Sequence, residues 1–502
     1  MITCSNKKME KNKEKVLGGY FMKLLLLNPP YQYASLPPLG IAYIASVLEE
    51  NGFEVDCVDA AFEKLGWKNI RQMISHKNPD IVGIPVTTIM FKQAIQTAKI
   101  IKEFDSNIKI LMGGPHATTD PNSLLKYKFV DFAIRGEGEY TTLELVKNFN
   151  KIAKIRGLSY KKNRRIVHNP ERNFITDLDE LPYPARHFFD IKKYRGQFND
   201  GIFYVGYKPQ THIMASRGCP FRCTFCSKIF GRTLRLRNPI KVVDEMEMLK
   251  NDYGIKEVMF FDDNIFVNMK WIQNFCKELI NRNLNISWKA QSRVEITEAN
   301  LKLAKKSGCN YLFFGIESGS NRVLKLMKKD MNLRQAEKIF TMCHKFGINT
   351  HAFLIIGYPG ERLNDIKKTE KFIRKVKPDS VSFFHATPFP GSELYDIIKK
   401  NGHRIPSYED YYLIGDGKSG YESEISKELL SKCIHNYFLP FLRYHDPSPY
   451  IRSLFASSMR HFLKRIGNPY LWQSLVQHYF NFISQKLKDL TVQKKIIEIV
   501  DR

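Results

Sequence analysis

The sequence predicts an α/β protein: a doubly wound parallel sheet, then an open, partial barrel of six βα units, then a mostly helical region. Two observations carry this expectation. Short apolar runs of strand length alternate with periodic stretches of helix length across residues 22–150, and the alternation restarts across 206–395. Residues 151–205, read as a connector, interrupt it, and residues 396–502 turn helical and aromatic.

The elements follow in order. Residues 1–21 are polar and basic and read as a disordered extension ahead of Met22. "KLLLLN" is a buried strand, "GIAYIASVLEENG" a helix ended by Gly52, and "FEVDCVD" a second strand. "NIRQMISHKN" is a helix stopped before Pro79, "DIVGIPV" a strand and "MFKQAIQTAKIIKEF" a helix. "KILMGGPH" and "VDFAIRGEGE" are the last two strands of this unit. In the connector "RGLSYKKNRRIVHN" reads as a hairpin, and "LDELPYPARHFFD" is stiffened by proline. The second alternation has six strands: "THIMAS", "EVMFFDD", "ISWKAQSR", "YLFFGIESG", "NTHAFLIIGYPGE" and "SVSFFHATPFPG". Helices such as "PIKVVDEMEMLKNDYG" and "ANLKLAKKSG" separate them. Six units are too few to close an eight-fold barrel.

Open parallel sheets bind ligands at the carboxyl ends of their strands. In the first unit those ends carry Asn28 and Pro30, then Thr87 and Thr88, then Gly113 and Gly114, then Glu137 within "RGEGE". Glycine there lets backbone approach a ligand closely.

The formal charge of +27 is spread along the whole chain beside many Ile and Asn, so compositional bias accounts for it as well as an anionic partner would. No run of apolar residues is long enough to span a membrane, and the N-terminus lacks the apolar stretch of a secretion signal. The expectation is a reducing, cytoplasmic setting. Six of the nine cysteines (Cys4, Cys57, Cys276, Cys309, Cys343, Cys433) are scattered and read as free buried thiols.

The other three stand together in "SRGCPFRCTFCSK", as Cys219, Cys223 and Cys226. Three thiols leave one unpaired, so a disulfide framework does not fit and metal ligation does. Structural zinc would want a fourth ligand. His212 is near in sequence but lies on the strand, and no partner Cys pair exists. A four-iron cluster normally takes four thiolates; three leave one iron open for a substrate or cosubstrate.

CxxxCxxC in a loop after the first strand of a partial (β/α)6 barrel resembles the signature of the radical S-adenosylmethionine (SAM) enzymes. The resemblance implies a 4Fe-4S cluster on the three cysteines, with SAM bound to the open iron and cleaved reductively to methionine and a 5′-deoxyadenosyl radical. It implies further roles in order along the barrel. Asp262 and Asp263 would hold the methionine amino group, Arg293 its carboxylate, Gly315, Glu317 and Ser318 the ribose, and Ile356 and Gly357 the adenine. Phe225 would shield the cluster.

The first unit, through "NPP", "PPLGIAYIASVLEENGFEVDCVD", "GGPH" and "GEGE", is similar to the Rossmann-like cobalamin (B12)-binding domain that precedes the barrel in a large subfamily. One departure stands out. The first strand–helix loop, "NPPYQYASLPPLG", holds no histidine to ligate cobalt. The resemblance implies cobalamin-dependent methylation of an unactivated carbon. The alternative is oxidative, cyclase-type chemistry like that of the anaerobic porphyrin cyclases. Methylthiolation of RNA would need three more cysteines in the first unit, which offers only Cys57, so nucleic acid is disfavoured as a partner. A non-catalytic cobalamin or redox sensor is a further reading, disfavoured by the retained SAM-site pattern. An external donor such as flavodoxin or ferredoxin would supply the electron. In the C-terminal region Phe455, Met459, Phe462 and Ile466 share one helical face, which suits a lid on the barrel or a surface that meets a lipid-like substrate at a membrane.

Overall fold

The computed structural model describes residues 22–31, 36–194, 209–411, 421 and 423–433. The basic extension before Met22, Cys4 and the apolar face at residues 455–466 lie outside the described residues.

The first sheet has seven strands: β1 (Leu24–Asn28), β2 (Val55–Asp59), β3 (Ile81–Pro85), β4 (Lys109–Gly113), β5 (Phe132–Ile134), β6 (Leu158–Lys162) and β7 (Arg165–His168). Their order is β2-β1-β3-β4-β5-β6-β7. The first five are parallel, and the hairpin β6–β7 adds to β5 in antiparallel register, with Ala133 opposite Ser159. The four leucines of β1 show why the strand reads as one unbroken apolar run. Leu24 and Leu26 enter one core, beneath the helices Leu39–Glu50 and Gly138–Lys147. Leu25 and Leu27 enter the opposite core, with Ile70 and Ile74 of Trp67–Lys77 and Ala94 and Ala98 of Phe91–Phe104. A parallel strand covered on both faces has no polar side.

The second sheet is entirely parallel and sequential. It runs from β8 (Gln210–Ile213) through β11 (Glu257–Phe260), β12 (Ser287–Ser292), β13 (Cys309–Glu317) and β14 (Asn349–Ile356) to β15 (Ser380–His385). The two-residue strands β9 (Ser216–Arg217) and β10 (Arg235–Leu236) form a separate antiparallel pair after β8. The outer face of the barrel packs Phe260, Trp288, Phe314 and Ile316 on helices that contribute Phe275 and Phe340. The inner face has its own cluster of Met259, Tyr311 and Phe313, with Phe261 and Phe353 against it.

The described part of the connector is fastened at Arg186 and Tyr194. Arg186, fully buried, donates to Glu245 Oε1 at 2.8 Å and to the carbonyl of His212 at 2.8 Å, and Arg237 holds the other Glu245 oxygen at 2.6 Å. Tyr194 reaches back to Asp59 of β2 at 2.9 Å. Among the described residues no helix is long and apolar enough to cross a membrane.

Candidate active site at the cysteine loop

The cysteine loop is closed at its base by β9 and β10, where Arg217 pairs with Arg235 and Ser216 with Leu236. Gly218 opens the loop at φ +89, and a Cβ there would stand 2.2 Å from the Thr233 carbonyl oxygen, so only glycine fits this turn. Cys219 N donates to the Gly231 carbonyl at 3.2 Å and Arg232 Nη1 to the Phe221 carbonyl at 2.6 Å. Between the last two cysteines, fully buried Thr224 clamps the loop to the barrel. Its N–H donates to the Met327 carbonyl at 3.0 Å, its hydroxyl meets Tyr358 at 2.5 Å, and its carbonyl accepts from Leu394 N at 2.8 Å. The thiols therefore sit on pinned backbone before any ligand arrives.

Among the described residues no three His, Cys, Asp or Glu side chains stand where they could hold a single metal ion. A four-iron cluster asks for something wider, because each thiolate binds a different iron. Burial pushes the Cys219 and Cys226 thiols up, and the Asp263 carboxylate and the neighbouring cysteines add to the shift. Ligation must then release protons as the thiolates form. Arg293 Nη1 lies 3.9 Å from Cys223 Sγ, a cation beside the buried member of the three. Pinned thiols, a neighbouring cation and loop placement at the strand ends fit a cluster.

The other expected contacts divide. Asp263 is exposed beside the thiols. Asp262 is buried and turned back, accepting from Ser216 Oγ at 2.5 Å and Ala215 N at 3.1 Å, so it holds the entry to the cysteine loop. Burial pushes its carboxyl up to about 6, against the pull of those hydrogen bonds. Arg293, at the end of β12, lies 3.9 Å over the Phe221 ring and donates to the Lys329 carbonyl at 3.0 Å and the Asp330 carbonyl at 2.5 Å. Glu317, at φ +62, is paired with Lys329 at 2.9 Å, in space left by Gly315. Phe225 packs on the cluster of Tyr358, Ala386 and Leu394. Ser318 and Ile356 are not brought to the mouth. Ser318 meets Thr369 of the helix Leu363–Val376 at 3.2 Å, and Ile356 packs in the outer core. Gly357 N is tied to Glu361 at 2.6 Å. Thr224, Lys329 and Tyr358 carry no sequence signal that would have found them.

The strand ends of the first sheet form one edge. Asn28 donates to Asp59 at 2.8 Å, with Pro30 just beyond it. Thr87 Oγ1 is buried with no hydrogen-bond partner among the described residues. Thr88 Oγ1 meets His116 Nδ1 at 3.0 Å, and Ser123 Oγ meets His116 Nε2 at 2.8 Å. Burial pushes His116 down to about 4, so it is neutral. Gly113 ends β4 and Gly114 leads into the short helix Pro115–Thr119.

That edge is seated on the barrel. A Cβ on Gly391, which lies just after β15, would stand 2.5 Å from Thr119 Cγ2. Tyr408 OH donates to Asp120 at 2.8 Å, and its ring lies 4.6 Å from that of His116. Glu137 faces the barrel rather than the open edge. It accepts from Arg217 at 2.9 Å, from Arg235 at 2.8 Å and from Ile175 N at 2.6 Å, while Glu139 takes the other arm of Arg217 at 2.6 Å. All four charged side chains are buried. The base of the cysteine loop is thus ion-paired to the loop after β5.

Two family models match the chain: the B12 binding domain over residues 33–146 and the Radical SAM superfamily over residues 213–373. The chain is 34% identical over 448 residues to an uncharacterized methyltransferase of Pyrococcus horikoshii, covering 86% of this chain and 95% of that protein. It is 30% identical to the anaerobic magnesium-protoporphyrin IX monomethyl ester cyclase of Rubrivivax gelatinosus, covering 75% of this chain and 70% of the cyclase. Among solved structures, the radical SAM methyltransferase TsrM of Kitasatospora setae superposes with a TM-score of 0.64 at 19% identity, over 76% of this chain and 77% of TsrM. The cobalamin-dependent radical SAM enzyme OxsB superposes at 0.68 and 18% identity, over 83% and 66% of the two chains. The chain belongs to the radical SAM enzymes that carry an N-terminal cobalamin-binding domain. Its cofactors are accordingly a 4Fe-4S cluster, SAM and cobalamin, and the class, fold and cofactors are those the sequence led us to expect.

Proposed function

We propose that this chain methylates an unactivated carbon of a small molecule with cobalamin as the methyl carrier. The observation that carries the reading is the seating of the first sheet's strand-end edge against the barrel, through Thr119, Asp120, Glu137 and Glu139. That seating supports a reading in which both cofactors would reach one substrate. When bound, the cluster and SAM supply a radical that removes hydrogen, and the corrinoid supplies a methyl group. The chain's own part is to hold the two sites in register and exclude water.

Cys219, Cys223 and Cys226 hold the cluster, and Asp263, beside them, is placed for the methionine ammonium of SAM. Gly315 keeps its place as a candidate for contact with the nucleoside, and Ile355, on the same partly open inner face, takes the place of Ile356. On the other side Asn28, Pro30, Thr87, Gly113 and Gly114 line the corrinoid edge. His116 has both ring nitrogens occupied by Thr88 and Ser123, so a corrinoid held at this edge would take no ligand from that ring. The electron comes from an external donor of the flavodoxin or ferredoxin kind.

A cyclase-type oxidation is the second reading, favoured by the 30% identity with the Rubrivivax cyclase. The coproducts separate them. Methylation consumes two SAM molecules per turnover, so S-adenosylhomocysteine and 5′-deoxyadenosine should appear in equal amounts in extracts that contain the natural substrate. Deoxyadenosine without matching S-adenosylhomocysteine would replace methylation with the oxidative reading.

A further inference from the structure

A cluster reduced by an outside protein needs a face where its ligands come near solvent, and the cysteine loop has one. Pro220 and Arg222 are exposed, with Phe221 half-buried between them. Pro220 directly follows Cys219 and Arg222 directly precedes Cys223, so two of the three thiols have an exposed neighbour within this one tripeptide. The rest of the loop is covered. Thr224 is buried and bonded to Met327, and Phe225 packs with Tyr358 and Leu394. Beyond Cys226, Gly391 lies against the Ser227 carbonyl and Phe174 against Gly231. Electron transfer through protein falls steeply with distance, so among the described residues Pro220–Arg222 is the shortest way in.

The charge around that opening is of one sign. Residues 216–237 contain six cations and no acid. Arg217 and Arg235 are neutralised by Glu137 and Glu139, and Arg237 by Glu245. Arg222, Lys228 and Arg232 have no carboxylate partner among the described residues. Arg232 donates to the Phe221 carbonyl at 2.6 Å, which brings a second unpaired charge to the exposed tripeptide.

An open groove adjoins it across Arg293, whose guanidinium lies 3.9 Å over the Phe221 ring and bonds to the Asp330 carbonyl at 2.5 Å. The groove measures about 690 Å³, and its lining includes Glu295, Asp330, Met331, Leu333 and Arg334. Glu295 is paired with Arg293 at 3.1 Å, and exposed Asp330 and Arg334 offset one another. Half-buried Met331 and Leu333 give the groove an apolar patch beside the basic loop.

Taking the loop as the seat of reductive SAM cleavage, the reading on which this inference rests, we propose that Pro220–Arg222, Arg232 and the adjoining groove form a docking face. Its partner is an acidic protein that carries one electron at low potential. Carboxylates of the carrier pair with Arg222 and Arg232, whose planar forks suit them. One electron crosses, so the carrier is oxidised by one. That electron is consumed as the sulfonium C–S bond of SAM breaks to a thioether and a carbon radical, and no proton moves. Electron-transfer encounters bury little surface, so a face of this size suffices.

Equilibrium binding of oxidised flavodoxin to the anaerobically reconstituted full-length protein tests this without turnover. Binding should be saturable and weaken at least about tenfold as salt rises from about 0.01 M to about 0.15 M. Arg222→Glu should weaken it at least about tenfold, and Asp330→Lys should tighten it about threefold, which a misfolded variant would not do. Lys68→Glu, at an exposed position of the helix Trp67–Lys77, changes the net charge as much as Arg222→Glu and should leave affinity within about twofold. Dithionite is a small reductant that needs no docking. The ratio of deoxyadenosine made with reduced flavodoxin to that made with dithionite should fall at least about tenfold in Arg222→Glu. Absent or salt-insensitive binding, or equal weakening by Lys68→Glu and Arg222→Glu, would overturn the proposal. No deoxyadenosine from the parent even with dithionite would overturn the radical reading and this one with it, by a result distinct from lost binding.

Discussion

Cys223→Ala is expected to abolish reductive SAM cleavage: no 5′-deoxyadenosine above background from the reconstituted variant, and iron content well below that of the parent. Cys223 is the buried member of the three, beside the Arg293 guanidinium, on backbone that Thr224 holds to Met327, Tyr358 and Leu394. Replacing the thiol leaves two ligands for a cluster that needs at least three here, and no other cysteine is close in sequence. Cys276→Ala is the control. That thiol is buried in the outer barrel core, so its loss should cost about 1 kcal/mol of packing and leave cleavage intact. Deoxyadenosine formation at the parent rate by Cys223→Ala would remove the loop from the chemistry.

Glu137→Ala should be the most damaging change away from the cysteines. The carboxylate neutralises Arg217 and Arg235 in a buried interface, and its removal leaves Arg235 without the one carboxylate it is bonded to there. Breaking a buried pair this way costs about 3–5 kcal/mol. Because both arginines stand on β9 and β10, at the base of the cysteine loop, the variant should also retain less iron after desalting. Glu103→Ala offers the contrast. Its pair with Arg71 is exposed, with side-chain exposures of 46% and 53%, and its loss should change stability by at most about 1 kcal/mol. Urea unfolding of the full chain measures both. A parent-like midpoint for Glu137→Ala would mean that the interface is not closed in solution.

How much of the molecule was legible from the sequence depends on range. The strands were, because leucines covered from two sides and the glycines at strand ends are local signals. So was the cysteine loop, whose three ligands fall within eight positions. The ion network was not. "GEGE" reads as a ligand-binding edge, yet Glu137 meets an arginine 80 residues later in the chain, and nothing in either stretch announces the pairing. The connector tells the same story, since Arg186 looks like one more basic residue until it meets Glu245 in the barrel wall. Which way two strand-end residues face was not legible either. The register slips between Gly315 and Glu317 and Ser318 meets Thr369 of the helix layer, whereas on β14, whose pairing with β15 runs unbroken, the partly open side chain is Ile355.

The paired-cofactor site is tested most directly by the metal content of the full-length chain, reconstituted anaerobically with iron, sulfide and hydroxocobalamin and then desalted. The expected result is about four iron, about four sulfide and about one cobalt per chain, with the corrinoid spectrum unchanged in His116→Gln because cobalt takes no ligand from that ring. Iron at that level with no retained cobalt would contradict the paired-cofactor site, and with it the proposal that this chain methylates through cobalamin.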